Sequence, residues 1–317
     1  MDSITQLVLG TSIAGAIAHK QLGRSALMIG AVLATLPDLD IFIPTTDAVT
    51  QFTEHRSFSH SLLVLFPFAF ICFLLLKLKF KADIISNQRL FWLTSLPLIT
   101  HPILDAFTSY GTQLFWPLTV PPISIASIFA VDPLYTLPLL IACIYLWRNS
   151  HHHAVETNKK IQTVRRINQV ALIVSTGYLL LGLLLQTLSL NKIKNALHSH
   201  DIATNKIFIS PLYPSLNWWG AIVIDKNVYY DVEINVLSNS LTISAPQSLG
   251  KGLINGPNLA LSSLDWFTHG FIRLQDIENK LIVTDLRMKT GQLGYAFKFV
   301  VAEKENDSWK ATSPLRL

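Results

Sequence analysis

Charge is what this chain most lacks: Asp, Glu, Lys and Arg make up 14% of its 317 residues, against about 25% in a typical soluble domain. Half of the residues are hydrophobic and the mean hydropathy is +0.40, so a membrane protein is expected before any helix is drawn. Cysteine is nearly absent. Cys72 and Cys143 both lie inside apolar runs, which excludes a disulfide framework and a cysteine-rich metal site and reads them as small buried apolar side chains. No zinc finger, RNA-recognition signature or long basic stripe accompanies the modest net charge of +5, so nucleic acid is not an expected partner. A Gly-x-Ser-x-Gly elbow and a His-Glu-x-x-His helix are missing too, as are internal repeats and low-complexity tracts. No basic stretch precedes the first apolar run. Asp2 stands there instead, so Ser3–Ala18 is expected as a retained helix rather than a cleaved signal.

What is present is a set of apolar runs over residues 1–200. Val170–Leu190 carries no formal charge, and Ser57–Leu76 has His60 as its only ionisable group. Each is long enough for a hydrocarbon core of about 30 Å. Ser3–Ala18, Ser25–Pro37, Leu90–Leu104 and Pro133–Trp147 are shorter candidates, giving about six helices with four as the competing count. The loops at His19–Arg24, Lys77–Arg89 and Arg148–Arg166 are basic, and basic loops stay in the cytoplasm. Asp38–Ser57 and Asp105–Asp132 hold one basic residue between them, Arg56, and are expected outside. Residues 106–131 contain Trp116, Pro117, Pro121 and Pro122, too broken for one straight helix, and suit a loop in the interfacial zone.

Past residue 200 the period changes. Trp218–Ile224 and Val228–Val236 read as strands about a three-residue turn, followed by Phe271–Gln275, Leu281–Leu286 and Tyr295–Val301. The expected fold is an α-helical polytopic membrane domain over 1–200 and a small antiparallel β domain over 201–317, the latter extracytoplasmic.

Three motifs interrupt this pattern: Asp38-Leu-Asp40, His55-Arg-Ser-Phe-Ser-His60 and His101-Pro-Ile-Leu-Asp105. Ionisable groups beside lipid are costly and are kept mainly for function, and His with carboxylate is a zinc ligand set. Under the expected topology all three motifs reach the same outer face, as one site requires. Asp38, Asp40, His55, His60, His101 and Asp105 are therefore the candidate ligands for one or two divalent ions, most readily zinc. The i,i+4 spacing of His101 and Asp105 puts them on one helix face. His55 and His60 are five apart, so His55 belongs to the loop and His60 to the first helical turn, with Ser59 as a possible cap. Arg56 can grip an anionic group by its fork of donors, and Asp40 and Asp132 are candidate general bases on the same face. His151-His152-His153 reads as a polar loop. Asp285 and Arg287 read as a structural ion pair.

At these motifs the chain resembles the YdjM-like inner-membrane proteins, described as membrane-bound metal-dependent hydrolases. The matching pieces are Met1–Gln6, Leu36–Asp40, His55–Ser61, His101–Thr112 and Asp132–Pro138, so the resemblance covers residues 1–190; some relatives carry His where this chain has Gln6. More distantly the family is similar to zinc-dependent phospholipase C. The resemblance implies a metal-activated water attacking a phosphoester or other ester of a membrane lipid or envelope substrate. Two alternatives stand beside it. One is a non-catalytic scaffold with a structural metal and a partner-binding β domain. The other is a transporter of metal or small solutes.

Overall fold

The computed structural model describes residues 1–150, 158–203, 205–213, 215–254, 256–289, 294–306 and 308–317. His151, His152 and His153 lie outside the described residues. A helical N-terminal part leads into antiparallel sheets. Its helices are α1 (Ser3–Leu22), α2 (Arg24–Thr35), α3 (Ala48–Glu54), α4 (Leu62–Lys79), α5 (Asn87–Ala106), α6 (Pro133–Arg148) and α7 (Asn158–Ser199).

The expectation of about six membrane spans needs correction. Among the described residues, two helices are long and apolar enough to cross a membrane by length and composition, Leu62–Lys79 and Gln162–Ser199. The physical reasons differ for the rest. α1 and α5 have the length, but buried Thr5, Gln6, Thr11 and Ser12 in one, and Thr94, Ser95, His101 and Asp105 in the other, make them polar inside. α2 has 12 residues and α6 has 16; at about 1.5 Å per residue neither covers 30 Å alone. Just 11% of α4 is buried, and its phenylalanines and leucines face outward.

α1 sits at the centre of the helical part, against α2, α5, α6 and α7. Its crossing with α2 depends on two glycines. A Cβ on Gly10 would stand 2.5 Å from the Gly30 carbonyl oxygen, and a Cβ on Gly30 would stand 2.3 Å from that of Gly10. Any larger residue at either position forces the backbones apart. α5 runs unbroken through Pro97 and Pro102, so Pro102 marks no break at the site.

α7 has 42 residues, about 63 Å of helix, twice a hydrocarbon core. Its far end carries Ile193 and Leu197 into the apolar core beneath the first sheet, against Trp219, Val223 and Val232. That sheet has the order β1 (Lys206–Pro211), β2 (Trp218–Asp225), β3 (Val228–Asn235), β4 (Leu241–Ile243), with β5 (Gln247–Ser248) also on β3. Asp225 pairs with Val228, so the β2–β3 turn has two residues rather than three; Lys226 takes φ 54° there.

After α8 (Leu259–Phe267) comes the second sheet, an antiparallel meander of β6 (Ile272–Ile277), β7 (Lys280–Asp285), β8 (Lys298–Glu305) and β9 (Ser308–Arg316). Arg287 folds back on Asp285, Nη2 to Oδ2 at 2.8 Å. The sheets are tied by Lys289, which bonds Asp231 at 3.0 Å and Glu233 at 2.8 Å. The core of the second sheet includes two residues from the helical part. Val49 and Phe52 of α3 are buried among Leu264, Phe267, Leu281 and Phe299. This short helix, which no periodicity announced, fastens the loop between two of the motifs to the C-terminal sheet. The Tyr110 hydroxyl adds a bond to the Phe52 carbonyl at 2.7 Å.

Candidate metal centre

Each motif arrives on a different element. Pro37 opens a 3-10 turn, Pro37–Phe42, that continues from α2 and carries Asp38 and Asp40. Asp47 caps α3 by accepting from the Val49 and Thr50 amides at 2.9 Å, and α3 ends at His55. His60 closes a second 3-10 turn, Phe58–His60, rather than lying in the first turn of α4. Ser61, not Ser59, caps α4, accepting from the Leu63 amide at 3.2 Å. His101 and Asp105 project from one face of α5.

Asp38, His60, His101 and Asp105 converge. One donor atom from each lies within 4.8 Å of the others. The Nε2 atoms of His60 and His101 are 3.0 Å apart. His60 Nε2 is 3.2 Å from Asp105 Oδ2 and 3.5 Å from Asp38 Oδ1. His101 Nε2 is 3.5 Å from Asp105 Oδ2 and 3.4 Å from Asp38 Oδ1. A tetrahedron with metal–donor distances of about 2.0 Å has edges of about 3.3 Å, and the five separations that involve an imidazole nitrogen lie between 3.0 and 3.5 Å. The four atoms can hold one metal ion.

The tautomers point the same way. His101 Nδ1 is 2.6 Å from the Ala34 carbonyl oxygen, which can only accept, so Nδ1 carries a proton and, in the neutral ring that a metal requires, Nε2 holds the lone pair. Ser59 Oγ donates to Asp40 Oδ2 at 2.7 Å and therefore accepts from His60 Nδ1 at 2.9 Å. Two imidazole lone pairs and two carboxylate oxygens thus face one point. Asp105 Oδ2 is buried and accepts no hydrogen bond; the Arg56 guanidinium at 3.3 Å offsets part of its charge, and the atom keeps a lone pair for a further cation. A proton can bridge one edge of the group; a divalent ion satisfies all four atoms.

The six sequence candidates separate into two layers. Asp40 and His55 stand outside the four. Asp40 Oδ1 accepts from His55 Nδ1 at 2.9 Å and Oδ2 from the Arg56 amide at 3.0 Å, so Asp40 orders the loop and orients His60 through Ser59. Burial raises the Asp40 carboxyl, but the His55 ring and the Arg56 amide more than offset this and hold it below the usual carboxylate range. Burial acts on Asp38 likewise, and the two imidazoles keep it well below that range. Asp132, expected on the same face as a base, is not brought to the group. It accepts from the Leu134 amide at 3.1 Å and the Tyr178 hydroxyl at 3.0 Å, and burial pushes its carboxyl up.

Arg56 is buried, with Nε 3.3 Å from Asp105 Oδ2 and Nη1 3.3 Å from Thr108 Oγ1. Its guanidinium lies over Tyr110 at 4.9 Å. Its φ of 66° is in the left-handed region, which a bulky residue enters only when held there; the Asp40 carboxylate and the Gln113 amide, 3.0 Å from the Arg56 carbonyl, do the holding. Gln6, where some relatives carry His, reaches the centre as a hydrogen-bond donor, its Nε2 bonding Asp105 Oδ1 at 3.0 Å; sequence reasoning missed the Ala34 carbonyl. The Met1 amino group also donates to Asp105 Oδ1. Beside His55 and Asp40 opens a groove of about 350 Å³, lined also by Ile41, Ile43, Phe58 and Arg316.

The profile of the family described as YdjM inner membrane protein matches residues 1–190. The protein YfhP of Bacillus subtilis (strain 168) is 28% identical over 240 residues, 72% of this chain and 67% of that protein. The inner membrane protein YbcI of Escherichia coli (strain K12) is 28% identical over 114 residues, 36% of this chain and 64% of that protein. No solved structure matches the chain.

Proposed function

Since the chain belongs to the YdjM inner membrane protein family, we propose that it is a metal-dependent hydrolase of the inner membrane, cleaving a phosphoester or other ester of a lipid or envelope substrate at the outer face. The convergence of four ligand-type atoms on one point carries this reading. In the membrane, α4 and α7 have the length and hydropathy of spans, and α1 and α5 run beside them from the outer metal centre to the cytoplasmic face with polar residues inward, α2 and α6 packed against α1. The basic helix ends face the cytoplasm, which leaves the metal centre and both sheets outside.

Asp38, His60, His101 and Asp105 would hold the ion, and two imidazoles with two carboxylates suit zinc or a related first-row metal. When bound, such an ion supplies a Lewis acid and lowers the pKa of water enough to make a nucleophile at neutral pH. The protein's own part is to orient and to exclude water. The Ala34 carbonyl and Ser59 fix the two imidazoles, and Gln6 and Arg56 hold the Asp105 carboxylate. Of the four ligand side chains Asp38 is the one with exposed surface, 17%, and it gives the centre its open edge. Exposed Ile41, Phe42, Ile43 and Phe58, with Trp116 against Phe58 at 6.2 Å between ring centroids, form a lip suited to a substrate arriving from lipid.

Complete burial of His60, His101 and Asp105 also favours the scaffold reading, with a structural ion. Transport is less favoured because the buried His and Asp gather at one end of the helical part. The deciding measurement pairs metal content with phospholipid hydrolysis in detergent-purified protein. The proposal expects about one ion per chain, and loss of both metal and hydrolysis in His101→Ala. A wild-type protein that holds its ion and hydrolyses no lipid or envelope ester would leave the scaffold; one that holds no ion would end both readings.

A further inference from the structure

At the opposite end of the helical part is a second, larger cavity, of about 1140 Å³. It is separate from the metal centre. Lys20 stands about 21 Å along α1 from Gln6, and Arg89 about 18 Å along α5 from His101, at 1.5 Å per residue. The cavity is graded. Its inner wall is Gly15, Ile17, Leu96 and Leu146; its mouth holds Lys20, Arg89 and Arg165, from three different helices. No Asp or Glu is among the described residues that line it. Seven residues of α5 separate Leu96 from Arg89, so apolar gives way to cationic over about 10 Å.

We propose that this cavity binds the headgroup of an anionic glycerophospholipid from the cytoplasmic leaflet, its phosphate among Lys20, Arg89 and Arg165 and the start of its acyl chains against Leu96 and Leu146. Three cations with no acidic residue among the described lining match an anion, and basic pockets between helices on the cytoplasmic side are where such headgroups bind. A free phosphate ion has no use for the apolar wall; a lipid uses both. Gln21 Oε1, buried at the same site without a hydrogen-bond partner, offers an acceptor to a headgroup hydroxyl. The inference rests on the membrane placement given above and is independent of hydrolysis.

The test is native mass spectrometry of the full chain, released from detergent with dioleoyl-phosphatidylglycerol or dioleoyl-phosphatidylcholine. Wild-type protein is expected to retain the anionic lipid preferentially. The triple variant Lys20→Gln, Arg89→Gln, Arg165→Gln should bind it roughly 100-fold more weakly, about a factor of five per charge. Lys77→Gln with Lys79→Gln, which removes two cations of the α4 end that do not line the cavity, should leave the preference intact. Ala16→Phe narrows the apolar wall with every charge kept, and should weaken lipid retention without altering competition by inorganic phosphate. Metal content, read in every variant, reports folding and keeps this result separate from the metal centre. Equal retention of the two lipids by wild type, equal loss in the Lys77 and Lys79 variant, or displacement of the lipid by millimolar inorganic phosphate would each overturn the proposal.

Discussion

In the sheets, the side chains hidden most completely are Trp219, Val223, Val283 and Phe299; in the helical part they include Gln6, His60, His101 and Asp105, while Phe66, Phe70, Leu75 and Leu78 of α4 lie on the surface. The first arrangement is what water imposes, apolar inside and polar out. The second hides polar groups alongside Leu93, Leu98 and Leu139 while it leaves phenylalanine and leucine outside, and fits a surface that meets hydrocarbon. A helical segment surrounded by lipid gains nothing by hiding leucine, and must satisfy its polar groups internally. The contrast teaches that buried polarity means different things in the two regions. In the sheets Arg287 is buried but paired with Asp285. In the helical part, Asp105 Oδ2 accepts no hydrogen bond and lies between Arg56 Nε at 3.3 Å and His60 Nε2 at 3.2 Å.

The strongest way to test this division is at Phe52, which belongs to the helical part by sequence and to the sheet core by packing. Phe52→Ala should destabilise the second sheet by about 3–5 kcal/mol, as emptying a packed aromatic site does, read by denaturant unfolding of the detergent-solubilised protein. If metal content stays normal while the sheet loosens, the two regions are energetically separate; loss of both would show the loop transmits between them. Next in size, His101→Ala and Asp105→Ala should each cut metal affinity at least about 100-fold, near 2.7 kcal/mol, measured by chelator competition. Normal metal retention in both would erase the special status of the helical interior.

Gly30→Leu should cost about 1–3 kcal/mol or more, because the added atoms meet backbone rather than a yielding side chain. Its lowered thermal midpoint should come with weaker metal binding, since displacing α2 moves the Ala34 carbonyl from His101. The smallest effect sharpens the contrast from the water side. Lys310→Ala removes an exposed pair with Glu305 at 3.2 Å, and should change stability by under about 1 kcal/mol, vanishing in high salt.

Much of the helical part was legible because its apolar runs are long and its ionisable residues rare. His101 and Asp105 could be placed on one face from spacing alone; the five-residue interval from His55 to His60 assigned them to loop and helix, whereas His60 closes a 3-10 turn and the two rings stay 5.9 Å apart. The contacts that support the motifs were not legible. Gln6, Ser59 and the Ala34 carbonyl act on the site only after α1, α2 and α5 pack, and a backbone carbonyl leaves no mark in composition. Asp132 looked equivalent to the other acids because sequence orders residues by helix end rather than by distance. Strands β3 and β6 alternate and β2, β7 and β8 carry continuous buried apolar runs, while β9 escaped notice. It is an edge strand with mostly exposed residues and Pro314, and edges have the weakest apolar signal. The number of spans was overread because length and polarity compete within α1 and α5.

The capture of α3 by the second sheet also has a consequence in time. Phe52 leaves the ribosome with the loop that carries His55, but the strands that enclose it are translated some 200 residues later. At roughly 5–20 residues per second, the loop waits on the order of 10–40 s with its anchor exposed. Through that interval α3 is a short amphipathic segment with nothing to grip. The sheet therefore closes over a helix made some 200 residues before its strands.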